Sequence, residues 1–109
     1  LYYSYMDKFS ALADPTRRSI IELLADQGPL SASEISERYS VSPSAISQHL
    51  KILREANLVS MRKQAQQRIY TINTQTVLEV EGWANRMASE WNARFDALEK
   101  LLEAEKNNL

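Results

Sequence analysis

The sequence predicts a mainly α-helical fold with one β-hairpin and a long C-terminal helix, in a single domain over residues 1–109. Apolar residues recur at steps of three and four through most of the chain, which is the helical period. Only residues 58–72 break this period, with two short runs rich in β-branched and aromatic residues. A length of 109 residues is typical of one domain, and 44% hydrophobic with 25% charged residues indicates a chain that folds.

The first two helices are predicted from the residues at their ends. A short helix is expected at about residues 5–13. Asp14 then caps a second helix, and Pro15 fits its first turn because that position needs no N–H. This helix ends at Gly28, since glycine suits the left-handed conformation of a helix end and the following Pro29 cannot continue the helix.

Two further helices follow, separated by a tight turn at residues 40–41. Ser31 and Glu34 form a capping box that opens the third helix, which extends to about Tyr39. Ser42 caps the fourth helix, which ends near Asn57, a residue that tolerates a positive φ. One face of the fourth helix is predicted to be buried, through Ile46, Leu50 and Leu53.

Residues 58–62 and 68–72 form the predicted hairpin. The segment between them, residues 63–67, lacks the Asn-Gly or Asp-Gly of a two-residue turn, so a longer and more mobile tip is expected.

The last predicted helix, at residues 74–106, carries a long apolar stripe. Its members are Val80, Ala84, Met87, Trp91, Phe95, Leu98 and Leu102. A domain of this size cannot cover such a stripe, so a second copy of the chain is expected to cover it. The predicted dimer interface comprises Met87, Trp91, Phe95, Leu98 and Leu102, in a homodimer whose last helix, residues 74–106, is a dimerisation helix.

The net charge of −1 conceals an uneven distribution of charge along the chain. Residues 38–68 contain six Lys or Arg against one acidic residue, whereas both flanking segments are acidic. A basic surface on an acidic scaffold is typical of a protein that contacts nucleic acid through one face, although a solvated charge cluster has the same composition.

The order of helix, helix, tight turn, helix and basic hairpin is the plan of a winged helix-turn-helix, here with a core at about residues 9–72. The fourth helix would then read double-stranded DNA, because small hydroxyl side chains permit close approach, Gln pairs with adenine and Lys reaches phosphate. The predicted DNA-binding residues are Ser42, Ser44, Ala45, Ser47, Gln48 and Lys51 on this helix, with Arg62, Lys63 and Arg68 on the hairpin.

Composition argues against an enzyme and against any cofactor or metal. The chain has no Cys, one His and two Gly, so thiolate catalysis, sulfur-ligated zinc and a glycine-rich phosphate loop are excluded. No apolar run approaches the roughly 20 residues that span a bilayer, and the start lacks the order of a signal peptide. We therefore expect a cytoplasmic protein without membrane contact.

Two stretches resemble the ArsR family of bacterial repressors. Residues 9–24, FSALADPTRRSIIELL, are similar to its opening, and residues 41–59, VSPSAISQHLKILREANLV, to its turn and recognition helix. The resemblance covers residues 9–72 and implies a homodimeric repressor of operator DNA, with the first and last helices, residues 1–13 and 74–106, as the dimerisation helices. It also implies that Ser44, Ser47 and Gln48 read bases, with Ala45 beside them.

The chain lacks the residues with which many members of this family sense metals. Residues 31–33 are Ser-Ala-Ser where those members carry Cys, and the last helix has no His. Serine hydroxyls are poor ligands for soft metals, so metal sensing is disfavoured. The family's Gly residues at the end of the recognition helix and in the wing are replaced by Asn57 and by Ala65-Gln66.

Several alternatives remain open from sequence. The chain is a DNA-binding repressor or, alternatively, a winged-helix module that binds another protein, and an unknown small molecule or protein is a possible inducer. His49 has a structural role or acts as a pH switch or metal ligand, with the structural role favoured. Trp83 and Trp91 belong to the dimer core or line a pocket between protomers.

Overall fold

The computed structural model describes residues 7–108, which form five helices and three strands. The predicted mainly α-helical fold with a β-hairpin and a long C-terminal helix is confirmed. In chain order the elements are α1 (Lys8–Ala11), α2 (Pro15–Gln27), β1 (Leu30–Ser31), α3 (Ala32–Ser36), α4 (Pro43–Glu55), β2 (Val59–Gln64), β3 (Gln67–Ile72) and α5 (Thr74–Asn107). Contacts divide the chain into two units, one up to Val77 and one from Leu78.

The predicted caps of α2, α3 and α4 are confirmed. Asp14 accepts a hydrogen bond from the backbone N–H of Arg17 at 3.0 Å, and Ser42 accepts one from that of Ala45 at 3.1 Å. Ser31 and Glu34 exchange hydrogen bonds at 3.1 and 2.9 Å, which completes the capping box. These bonds satisfy N–H groups that have no partner within their helices.

Two helices are shorter than predicted. α1 spans four residues and begins after Asp7, whose carboxylate accepts from the N–H groups of Phe9 and Ser10. Residues 5 and 6 of the expected helix lie outside the described residues. α3 ends at Ser36 rather than near Tyr39, because Tyr39 bonds back three residues in a turn of tighter pitch.

β1 adds a strand that the sequence analysis missed. Leu30 pairs with Tyr70 and Ser31 with Ile69, so the antiparallel sheet has the order β1-β3-β2. Two residues after a proline carry no period-two pattern, and this strand is therefore defined by its partner rather than by its own sequence.

The expectation of a hairpin tip longer than two residues is wrong. β2 and β3 pair in register up to Gln64 and Gln67, which leaves a two-residue loop. Ala65 adopts a φ of 57° in this loop, a conformation that glycine or asparagine usually provides. Strand pairing therefore extends to the tip although the loop lacks the Asn-Gly or Asp-Gly that usually forms a two-residue turn.

The core of the first unit lies between the helices and the sheet. The predicted buried face of α4 is confirmed, since Ile46, Leu50 and Leu53 are at most 1% exposed. They belong to a cluster that also contains Ile20 and Leu24 of α2, Ile35 of α3, Leu58, Val59 of β2 and Tyr70 of β3. Burial of this face fixes the rotation of α4, so that its opposite face meets solvent.

The second unit consists of α5 from Leu78 onward. The apolar stripe on this helix is exposed in the single chain, with Trp91 at 59% and Leu102 at 60%. The rings of Trp91 and Phe95 pack edge to face with centroids 5.1 Å apart. Within residues 7–108, none of the helices combines the length and apolar character needed to cross a membrane.

Candidate DNA-binding site

A polar stripe runs along the solvent face of α4. Ser44, Ser47, Lys51 and Arg54 recur at steps of three and four, and all four are exposed. Gln48 lies beside this stripe and is also exposed, whereas Ala45 is half-buried. The helix therefore presents hydroxyl, amide and cationic groups on the side opposite its buried face.

The N-terminus of α4 adds a favourable site for phosphate. Ser42 occupies the cap position and Pro43 the first turn, which contains no acidic residue. The free N–H groups and the helix dipole give this end a partial positive charge, which attracts anions. Ser42 and Ser44 are exposed there, so a DNA backbone has unobstructed access.

The polar stripe of α4 continues onto the sheet through a groove of about 440 Å³. Arg68 and Tyr70 of β3 form the wall opposite α4. The lining residues are Ala32, Ser44, Ser47, Gln48, Lys51, Arg54, Glu55, Arg68 and Tyr70. The structure thus brings four predicted site residues of α4 together with one from the hairpin.

The three predicted hairpin cations do not share one face. Lys63 is paired with Arg68 across the strands, and residues paired in this way lie on the same side of a sheet. Arg62 is paired with Ile69 on the other side, where its guanidinium donates to the Gln64 Oε1 at 3.3 Å. Lys63 and Arg68 therefore share the face that lines the groove, whereas Arg62 does not.

Arg54 is a groove residue that the sequence analysis missed. It follows Ser47 and Lys51 at the i, i+4, i+7 spacing, which places all three on one helical face. This spacing was readable in the sequence and would have identified Arg54. Glu55, also in the groove, contributes the one acidic side chain among the lining residues.

His49 faces away from the groove, toward α2. Its Nδ1 lies 3.4 Å from the Arg17 Nη1 and 3.9 Å from the Asp14 Oδ2, and its side chain is 22% exposed. The single imidazole of the chain therefore contacts α2 rather than the polar stripe of α4.

The described residues offer no arrangement suited to a metal ion. Within the range 7–108, three or more His, Asp or Glu side chains do not come together in such a group. Ser31 and Glu34, at the start of α3, are engaged with each other in the capping box.

An exposed polar helix beside a basic two-stranded wing, on a three-helix core, defines a winged helix-turn-helix protein of the DNA-binding class. Comparison with known proteins identifies the lineage. The family described as "Bacterial regulatory protein, arsR family" matches residues 14–61. The transcriptional repressor SdpR of Bacillus subtilis is 37% identical over 75 residues, which are 69% of this chain and 82% of SdpR.

Two further relatives give the same result. The arsenical resistance operon repressor of Bacillus subtilis is 35% identical over 77 residues, covering 71% of this chain and 73% of its own. The solved structure of an ArsR-like transcriptional regulator from Rhodococcus sp. RHA1 superposes with a TM-score of 0.75 at 30% identity, over 85% of this chain and 87% of that one. The chain belongs to the ArsR family of bacterial regulatory proteins, and it is a DNA-binding transcriptional regulator rather than an enzyme.

Proposed function

We propose that this chain is a cytoplasmic, homodimeric repressor that binds an inverted-repeat operator and places α4 in the major groove. The observation that carries the proposal is the groove that joins the polar stripe of α4 to Arg68 of the wing. A recognition helix and a wing that share one cationic surface contact bases and phosphates of the same half-site.

The proposed site residues of α4 divide into base-reading and phosphate-binding groups. Gln48 carries the donor and acceptor pair that recognises adenine in the major groove, and the Ala45 methyl suits a thymine methyl. Ser44 and Ser47 allow the helix to approach closely. Lys51 binds phosphate, and Arg54, one turn further along the helix, extends this cationic row.

The wing contributes cationic contacts to the DNA backbone or the minor groove. Lys63 and Arg68 share the face that continues from the recognition helix. Arg62 lies on the other face, so its proposed DNA contact lies outside the groove. Contacts of this kind raise affinity for any duplex and carry little sequence information.

The exposed apolar stripe of α5 supports the homodimer. Met87, Phe95 and Leu98 are 40%, 48% and 50% exposed in the single chain. An apolar stripe of this length is unusual on a soluble monomer, and a second copy of the helix offers a matching surface. The family resemblance adds α1 to this interface, and Phe9 of α1 is also exposed.

Repression would follow from occlusion of a promoter, and the names of the two Bacillus subtilis relatives describe those proteins as repressors. A symmetric dimer places two recognition helices in successive major grooves, about 34 Å apart. A small-molecule or protein inducer would act by binding more tightly to the dimer in an arrangement that misplaces the helices.

Selection from a pool of random DNA duplexes at near-physiological salt, without added metal, tests this proposal. We expect enrichment of an inverted repeat with half-sites about one helical turn apart. Weak binding that depends only on salt, with no enriched motif, would contradict it and would favour a winged-helix module that binds protein.

A further inference from the structure

Arg17 links three elements behind the recognition helix. Its Nε donates to the carbonyl of Ala11 at 2.7 Å, and its Nη2 to that of Ser10 at 3.4 Å, both at the end of α1. The third nitrogen, Nη1, lies 3.4 Å from the Nδ1 of His49 on α4. One guanidinium on α2 therefore connects the end of α1 to the recognition helix.

The contact with Arg17 favours one of the two neutral tautomers of His49. A guanidinium has five donors and no acceptor, so a hydrogen bond with Arg17 requires a lone pair on the Nδ1 of His49. The proton of the neutral ring then resides on Nε2. A protonated ring has no lone pair on Nδ1 and repels the guanidinium, so the contact exists only in the neutral state of His49.

Asp14 supplies an alternative partner for the same nitrogen. Its Oδ2 lies 3.9 Å from the Nδ1 of His49, slightly beyond hydrogen-bond distance. The backbone N–H of Arg17, which donates to this carboxylate, lowers the pKa of Asp14, so the group remains ionised when an imidazole titrates. Lys8, the charged side chain of α1, has its ammonium 5.5 Å from the centre of the Phe9 ring.

His49 also adjoins the base-reading surface. It follows Gln48 directly, about 100° around the helix, and its ring contacts α2, so a change in how the ring is held alters the seating of α4. Asp14 and Arg17 both belong to the first turn of α2 and its cap. A movement of the ring from Arg17 to Asp14 therefore exchanges two neighbouring partners on one rigid element.

We propose that His49 is a positioning residue for the recognition helix, held by Arg17 when neutral and transferred to Asp14 when protonated, so that operator affinity falls as the pH falls. This inference rests on the proposed function. The sign follows from the donor chemistry, since protonation removes the acceptor through which Arg17 links α4 to α1, whereas Asp14 joins α4 to α2 alone.

Nitrogen-15 NMR of the free protein tests the contact without any DNA. The chain has a single histidine, so its ring resonances need no assignment. We expect an unprotonated, hydrogen-bonded Nδ1 and a protonated Nε2 at neutral pH, and loss of the hydrogen-bond signature in Arg17→Leu. A ring protonated on Nδ1 at neutral pH, or one unchanged by Arg17→Leu, would overturn the proposal.

Binding to the selected operator and to an unrelated duplex of equal length tests the consequence. In the wild type, the ratio of the two affinities should fall about three- to tenfold between about pH 8 and about pH 6, the scale of one lost hydrogen bond. His49→Gln keeps an acceptor for Arg17 and does not titrate, so its ratio should stay near the high-pH value of the wild type.

His49→Leu removes the acceptor, so the ratio of its affinities for the operator and for the unrelated duplex should be low at both pH values. Equal pH profiles for the wild type and His49→Gln would refute the positioning role. The proposed function and the positioning role of His49 can be refuted separately. Failure of the wild type to prefer any operator at any pH would contradict the proposed function, and the tautomer measured by NMR would still decide on the Arg17 contact.

Discussion

Ala65 and Asn57 are the non-glycine residues with a positive φ within the described range, at 57° and 62°. Asparagine tolerates this conformation, and its position after α4 was predictable from sequence. Alanine has no such tolerance, because its Cβ lies too close to the following carbonyl oxygen. The geometry at Ala65 is imposed by strand pairing on both sides of the loop, and so the residue itself gave no signal.

We expect Ala65→Gly to stabilise the fold by about 0.5–1 kcal/mol, since relief of strain exceeds the added freedom of the unfolded chain. Urea denaturation at a fixed protein concentration measures this change. Asn57→Gly is the matched control at the other positive φ, and its effect should be smaller. A decrease in the stability of Ala65→Gly would show that the loop does not hold this conformation.

The sequence contained enough information to predict some boundaries of helices and strands but not others. Asp14, Ser31 and Ser42 were identified as caps because each precedes a helical period at the required spacing. β1 was missed because a two-residue strand is determined by its pairing partner, and α3 was predicted too long because the chain tightens after Ser36 into bonds that span three residues. Local chemistry therefore predicted where helices begin better than where they end.

The carboxylate of Asp14, which caps α2, makes the free energy of unfolding depend on pH. Replacement of Asp14 by Ala should cost about 1 kcal/mol, whereas Asn caps nearly as well as Asp. The pKa of Asp14 is lowered in the folded state, chiefly by the backbone N–H of Arg17, so its charge stabilises the fold above the pKa of the unfolded chain. This contribution is lost as the pH falls through the lower, folded-state pKa.

The stability difference between the wild type and Asp14→Asn should therefore narrow between about pH 6 and about pH 3. Denaturant unfolding of both proteins across this range measures it. A constant or widening difference on acidification would contradict the role assigned to the carboxylate.

α5 carries the clearest test of assembly. Trp91→Glu places a charge in the apolar stripe and should shift the protein from dimer to monomer, because an unpaired buried charge is costly at an interface. Sedimentation velocity measures this shift. Asn92→Glu, one residue along the helix and also exposed, is the control and should remain dimeric. A Trp91→Glu protein that sediments as the wild type does would place the dimer interface elsewhere.

Across the whole molecule, the sequence predicted a basic surface but not which basic residues form it. Three basic residues of the central segment, Lys51, Arg54 and Arg68, line one groove. Arg38 instead donates to Gln27 on the scaffold, and Arg62 lies on the far face of the hairpin. Charge counting locates a basic segment, whereas helix rotation and strand register decide which of its cations meet the same ligand.

We propose that the exposed face of α4 reads bases, and DNA selection with a Gln48→Ala variant measures this role. Gln75→Ala, an exposed glutamine at the start of α5, is the matched control. We predict that Gln48→Ala loses its preference at one position in each half-site, at a cost of about 1–3 kcal/mol for the preferred base, while the spacing is retained. Gln75→Ala should select the wild-type operator. An unchanged motif for Gln48→Ala would contradict the assignment of α4 as the reading helix.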